Sequence, residues 1–162
     1  MKKNNTKRYV FCVLTLIWMG VIFYFSAQNG EDSSKLSGGI TEVVVRTLYS
    51  QFDSFSQEQK LSVLSNFSFY IRKGAHFTEY AILGFLATGC LTTYPWKRWQ
   101  VGVLAYVFGT LYAVSDEFHQ MFSDGRAPKL MDVAIDSSGV FFGILAFFIL
   151  TYIYGKVKKN NR

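Results

Sequence analysis

From Tyr9 to Ala27 the chain carries no charge at all, and from Val133 to Tyr154 it carries only Asp136. Each run matches the roughly 20 residues that a helix needs to cross the hydrocarbon of a bilayer. No water is present there to satisfy backbone N–H and C=O groups, so a single apolar run of this length has to satisfy them internally, as an α-helix. The wider composition agrees: half the residues are hydrophobic and 18% aromatic, with only two prolines, which is too apolar for an ordinary soluble domain of this size. A cleaved leader is the competing reading of the first run. Its apolar stretch is longer than the roughly 7–15 residues of a leader core, and Phe25-Ser26-Ala27 makes a poor cleavage site, so a retained span is expected.

Two further spans are forced to swallow charges. Ala81 to Leu91 is too short to cross the hydrocarbon, so that span has to begin near Arg72 or Ala75 and take in His76 and Glu79. Lys73, His76, Glu79 and Tyr80 then share one helical face, which is expected to turn away from lipid. The next span takes in Asp116 and Glu117 at its far end. Gly125 breaks the helix that follows, and Pro128 prevents its immediate resumption. The last span carries Asp136 one turn after Asp132, then Gly139-x-x-x-Gly143, a pair that permits close helix packing. The expected fold is all-α: an integral membrane four-helix bundle in one domain over residues 1–162, with spans at about 9–27, 72–92, 100–118 and 133–154. Segment 28–71 is expected outside the cytoplasm and to hold short amphipathic helices that lie flat on the membrane and roof the site, a solvated loop with nascent helices being the competing reading. Leu36, Ile40, Val43, Val44 and Leu48 recur at helical spacing. Ser56-x-x-Gln59 resembles a capping box that opens a second stretch through Leu61, Leu64 and Phe67.

Charge placement orients this arrangement. Lys2, Lys3, Lys7 and Arg8, then Lys97 and Arg98, then Lys156, Lys158, Lys159 and Arg162 all fall on one side of a four-span chain, whereas all eleven acids fall on the other. Basic residues near span ends mark the cytoplasmic face, so both termini of a multi-pass protein of the cytoplasmic membrane are expected inside. The net charge of +6 is therefore no sign of nucleic acid, and no interleaved basic and aromatic surface appears. Cys12 and Cys90 both lie in apolar runs, so neither a disulfide framework nor a cysteine metal site is expected.

The polar segments 72–84 and 115–139 thereby meet at the outer face. An acid deep in a span costs about 2.5–3.5 kcal/mol on insertion scales, so so many of them require a reason. One reading is mutual satisfaction, with Lys73 and Arg126 neutralising Asp116, Glu117, Asp132 or Asp136 and clamping the helices. A second is an outward-facing site. His76 or His119, flanked by Glu79, Asp116 and Glu117, would move protons, and Lys73, Gln120, Arg126, Asp132 and Asp136 would bind a ligand, with Arg126 forking onto a phosphate or carboxylate. A third is a metal site drawn from His76, Glu79, His119 and one further acid. No named metal motif is matched, and no cofactor is expected.

Four segments taken together, in this order, resemble the VanZ-like family of bacterial membrane proteins. They are Phe25-Ser26-Ala27-Gln28; Lys73-x-x-His76-Phe77-x-Glu79-Tyr80-x-x-Leu83-Gly84; Asp116-Glu117-x-His119-Gln120-x-Phe122-x-x-Gly125-Arg126; and Asp132-x-x-x-Asp136-x-x-Gly139. Asp136 departs from the family pattern, which usually has asparagine there, and adds a negative charge. The resemblance implies a small polytopic protein linked to resistance against glycopeptides such as teicoplanin and against lipid-anchored antimicrobials. Membrane lipids, a lipid-linked envelope precursor or a lipoglycopeptide are the partners it implies. An enzyme acting on a lipid headgroup is the alternative, and no nucleotide or coenzyme A signature accompanies it.

Overall fold

A computed structural model describes residues 5–27, 30–121 and 129–161. Five α-helices follow one another: α1 (Asn5–Ser26), α2 (Gly30–Leu48), α3 (Gln57–Leu91), α4 (Arg98–Gln120) and α5 (Leu130–Asn160), with a 3-10 turn at Phe52–Ser54. Among the described residues there is no strand. Helices α1, α4 and α5 are long and apolar enough to cross a membrane.

The capping box forms at the start of α3: the Gln59 backbone N–H donates to Ser56 Oγ at 3.3 Å, and the Ser56 N–H donates to Gln59 Oε1 at 3.0 Å. From there the helix continues unbroken for 35 residues. The separate short helix expected through Leu61, Leu64 and Phe67 is therefore corrected to the first half of α3. No proline interrupts the stretch, and Gly74 lies on an open face, so nothing stops hydrogen bonding from running straight into the segment expected to span.

Helix α2 packs on α3 through small and β-branched side chains. Thr41 and Val45 are buried, and Ser37 Oγ lies 3.3 Å from Ser68 Oγ of α3, whereas Ile40, Val43 and Leu48 of the expected apolar stripe are exposed. Small and β-branched side chains allow close approach and the larger ones point out. The turn after α2 is tied by Arg46, which donates to Asp53 at 2.6 Å and to Glu42 at 2.9 Å. Those two carboxylates, Asp53 first, raise the guanidinium pKa above its ordinary value.

The same inversion runs through the long helices. Helix α1 exposes Tyr9, Val13, Leu16 and Ile17 and buries Thr15, Ile22 and Ser26; α4 exposes Val103, Val107 and Leu111 and buries Ala105, Gly109, Ala113 and Asp116. Large apolar side chains outside, with small and polar ones inside, is what a protein solvated by lipid requires, because helices there associate by close packing and hydrogen bonds.

Helices α3 and α5 run parallel, since Phe77 meets Gly139 and Ala81 meets Gly143. A Cβ on Gly139 would overlap the Phe77 carbonyl oxygen, one on Gly143 that of Ala81, and one on Gly84 the carbonyl of Val140. Helix α4 runs against α5, with Gly109 under the side chain of Val140. Helix α1 runs against α3, and two of its contacts are hydrogen bonds to backbone: Trp18 Nε1 donates to the Glu79 carbonyl at 2.8 Å, and Tyr112 of α4 donates to the Met19 carbonyl at 2.7 Å.

The antiparallel α1–α3 register also brings Cys12 and Cys90 to a Cα–Cα distance of 5.3 Å, where they form a disulfide. That corrects the expectation of unpaired cysteines. A separation of 78 residues in two apolar runs gave no sign of it, because the pairing is set by how the helices align.

The α3–α5 seam predicts a steep dependence on side-chain size. Gly143→Ala is expected to lower stability in detergent by about 1–3 kcal/mol, the range for overpacking. Gly20→Ala, where an added Cβ meets nothing within 4 Å, is expected to be neutral. Equal thermal unfolding curves for the two variants would contradict this packing.

Candidate functional site

One end of the helix assembly gathers polar residues from four elements. The first contributor is α3, whose Lys73, His76, Glu79 and Tyr80 lie along the stripe that faces α5 and α1. Lys73 forms an ion pair with Asp132 at the start of α5. One turn further along both helices, His76 Nδ1 stands 4.0 Å from Asp136 Oδ1 and 4.0 Å from Glu79 Oε2. The parallel α3–α5 register makes this ladder possible: the glycines that let the backbones approach also set these two rungs opposite each other.

Helix α4 supplies the second half. Asp116 and Gln120, four residues apart on its inner face, are joined by the Gln120 amide, which donates to Asp116 Oδ2 at 3.2 Å and to Ser26 Oγ of α1 at 2.9 Å. Glu117 has a different task. Its carboxylate accepts the backbone N–H of Lys129, the residue that precedes the first turn of α5. There it caps a helix N-terminus, where negative charge is favoured by the helix dipole. Lys129 offers no capping side chain of its own, so α4 supplies the cap across the connection.

His119 of α4 stands within electrostatic reach of Asp116. Its ring packs on Phe23 of α1, with centroids 4.6 Å apart. Among the described residues no group of three or more His, Cys, Asp or Glu is placed to hold a metal ion. The combination of His76, Glu79 and His119 is thus not assembled as a ligand set. Arg126 lies outside the described residues, as do Phe122 and Gly125.

Of the site residues expected from sequence, Lys73, His76, Glu79, Asp132 and Asp136 come together along the α3–α5 seam, and Asp116 and Gln120 join them from α4. Tyr80, fully buried, stands within electrostatic reach of both Asp116 and Asp136, and its hydroxyl makes no hydrogen bond of good geometry with either. Ser26, which accepts from the Gln120 amide beside Asp116, and buried Ser137, which follows Asp136 in the chain, were not singled out as site residues. Ser26 had a signal, its place in the Phe25-Ser26-Ala27-Gln28 segment; Ser137 had none, being a small hydroxyl in an apolar run.

The Lys73–Asp132 pair is partly buried, with side chains 16% and 22% exposed, so its coupling should be measurable. A double-mutant cycle with Lys73→Met and Asp132→Asn is expected to give about 0.5–3 kcal/mol of favourable coupling by thermal unfolding. A coupling near zero would remove this rung from the ladder.

The comparisons with known proteins agree with the resemblance carried by the motifs. No curated protein and no solved structure matches the chain. A family model described as VanZ/LLP1 matches residues 11–151. The match begins in the first half of α1, ends within α5 and takes in every residue of the polar cluster, and on that extent the chain belongs to the VanZ/LLP1 family.

Proposed function

We propose that this VanZ-type membrane protein protects the cell envelope, contributing to glycopeptide or lipoglycopeptide resistance of the teicoplanin type, by engaging an anionic lipid-linked or lipid-inserting molecule at its polar end. The observation that carries this reading is the concentration of Lys73, His76, Glu79, Asp116, Asp132 and Asp136 at one end of an otherwise apolar helix assembly. Helix packing alone is served by the glycine seam and does not require six ionisable groups there. Intramembrane ionisable residues are functional sites by default.

In this reading α1, α3, α4 and α5 are the four spans of a bundle in the cytoplasmic membrane. Both termini lie in the cytoplasm and the polar end opens outward. Helix α3, about 50 Å long at 1.5 Å per residue, exceeds the hydrocarbon thickness and carries its first turns beyond the membrane. The exposed Ile40, Val43 and Leu48 of α2 then rest on the outer interface as an amphipathic helix does. Arg126 is assigned the contact to the anion, because a guanidinium offers two parallel donors to a phosphate or carboxylate. A second reading, an enzyme that modifies a lipid headgroup or envelope precursor, is favoured by His76, held between two carboxylates as a general acid or base would be.

Orientation is tested by single cysteines in a background lacking Cys12 and Cys90. Cysteine at position 53 is expected to react with an impermeant reagent from outside and cysteine at position 97 to be protected; the reverse pattern would invert the topology. Function is tested on three variants at matched membrane abundance. Arg126→Lys is expected to lose most protection against a lipoglycopeptide while remaining inserted, and full protection from Arg126→Ala would remove that residue from the site. Conversion of extracted envelope lipids by the purified protein, abolished in Asp116→Asn, would establish the enzyme reading instead.

A further inference from the structure

At the end of the assembly away from the polar cluster, the turn between α3 and α4 is tied to α1. Arg8 donates to the Thr93 carbonyl at 3.1 Å and to Thr93 Oγ1 at 3.3 Å, and its guanidinium lies 4.1 Å from the centroid of the Tyr94 ring. Tyr94 in turn stacks on Trp96, with centroids 5.2 Å apart and ring planes 19° from parallel. Arg8 is thus engaged in holding the turn, and the turn holds Trp96 as one wall of a cavity of about 300 Å³. Arg98 and Val101 of α4 and Phe147, Phe148 and Thr151 of α5 also line it. Spacings of three and four residues put each helix's contribution on a single face.

Arg98 differs from Arg8 in what it is left to do. Among the described residues it forms no ion pair, and its guanidinium carbon lies over Phe148, 5.5 Å from the ring centroid. A ring occupies the face of a guanidinium and leaves the N–H donors at its edge for an anion. The surrounding field has one sign. No acid occurs from Tyr80 to Ser115 or from Ser137 to Arg162, whereas Lys97 precedes Arg98 and α5 ends in Lys156, Lys158 and Lys159. The first-turn N–H groups of α4 add to the attraction. The lining also has an apolar side, formed by buried Val101 and Phe147, and exposed Tyr94, Trp96 and Trp99 are the residues that favour a membrane–water boundary. A small soluble anion would leave that apolar lining unused, and an uncharged lipid would leave Arg98 unused. The cavity is at the small end of ligand pockets, with room for a headgroup and not for a whole lipid. We propose that it binds the headgroup of an anionic phospholipid, the phosphate on Arg98 and the start of the acyl chains against the phenylalanines. This site is separate from the polar end and does not rest on the resistance reading.

The test uses the full chain in detergent, offered phosphatidylglycerol and phosphatidylcholine with identical acyl chains, with bound lipid counted by native mass spectrometry. A preference for phosphatidylglycerol of about tenfold is expected, falling to about twofold or less in Arg98→Gln and in Thr151→Trp, which keeps every charge but fills the cavity. Lys159→Gln removes the same charge outside the cavity and is expected to keep the preference. Absence of preference in the unaltered protein overturns the inference, and because that comparison needs no variant, a folding defect cannot mask it. A preference that survives either cavity variant, or that Lys159→Gln reduces as far as Arg98→Gln does, shows diffuse attraction to a basic surface and overturns it as well. Inorganic phosphate in large excess is expected to leave phosphatidylglycerol bound; its release would assign the cavity to free phosphate instead. Thermal unfolding of the variants, whose exposed positions 98 and 151 carry little of the packing, is expected to match that of the unaltered protein.

Discussion

The close approach of α3 and α5 is the constraint on which the rest of the molecule depends. Gly84, Gly139 and Gly143 place backbone against backbone, so that no side chain separates the two helices along much of their shared length. Apolar side chains gain nothing by leaving lipid for a protein interior, and close packing becomes the principal source of association. Helix α4 uses the same device with Gly109, and α1 joins through side-chain hydrogen bonds to backbone carbonyls. The seam also fixes a register, and a register determines which polar side chains meet.

That register converts a costly sequence into a tolerable structure. Five acids at one end of a membrane assembly would be prohibitive if each stood alone, and the helices distribute their demands. Asp132 has Lys73, Glu117 has the start of α5, Asp116 shares the Gln120 amide with Ser26, and His76 lies between Asp136 and Glu79. Each partner comes from a different helix or a different turn, so the polar network and the helix packing stabilise each other. Buried Tyr80, fully enclosed among these helices, lies within electrostatic reach of both Asp116 and Asp136.

Much of this was legible in the sequence because the bilayer limits the answers. Runs such as Tyr9–Ala27 can only be helices in lipid, and the apolar stretch Ala81–Leu91 lies in one helix with His76 and Glu79, as its shortness required. The glycine pair at Gly139 and Gly143 announced a close helix contact, and the Ser56-x-x-Gln59 box marked the start of a helix through local hydrogen bonds alone. These are properties of single segments. Chain length, hydropathy and capping chemistry act over a few residues and can be read without knowing what lies opposite.

Which residues lie opposite was decided only by the tertiary structure. The disulfide between Cys12 and Cys90 depends on the antiparallel alignment of α1 and α3, and the capping of α5 by Glu117 depends on how α4 meets the next helix. The face of α2 that packs on α3, with Thr41 and Val45 inward and Ile40 and Val43 outward, could not be read from periodicity, which reports an apolar face without saying whether protein or lipid covers it. The sequence by itself determined helical secondary structure, the apolar stretches and the grouping of charges in two segments, since those follow from local chemistry and the demands of lipid. The pairing of Lys73 with Asp132 and of His76 with Asp136 was settled by helix register, which arises only when backbones pack at the glycines.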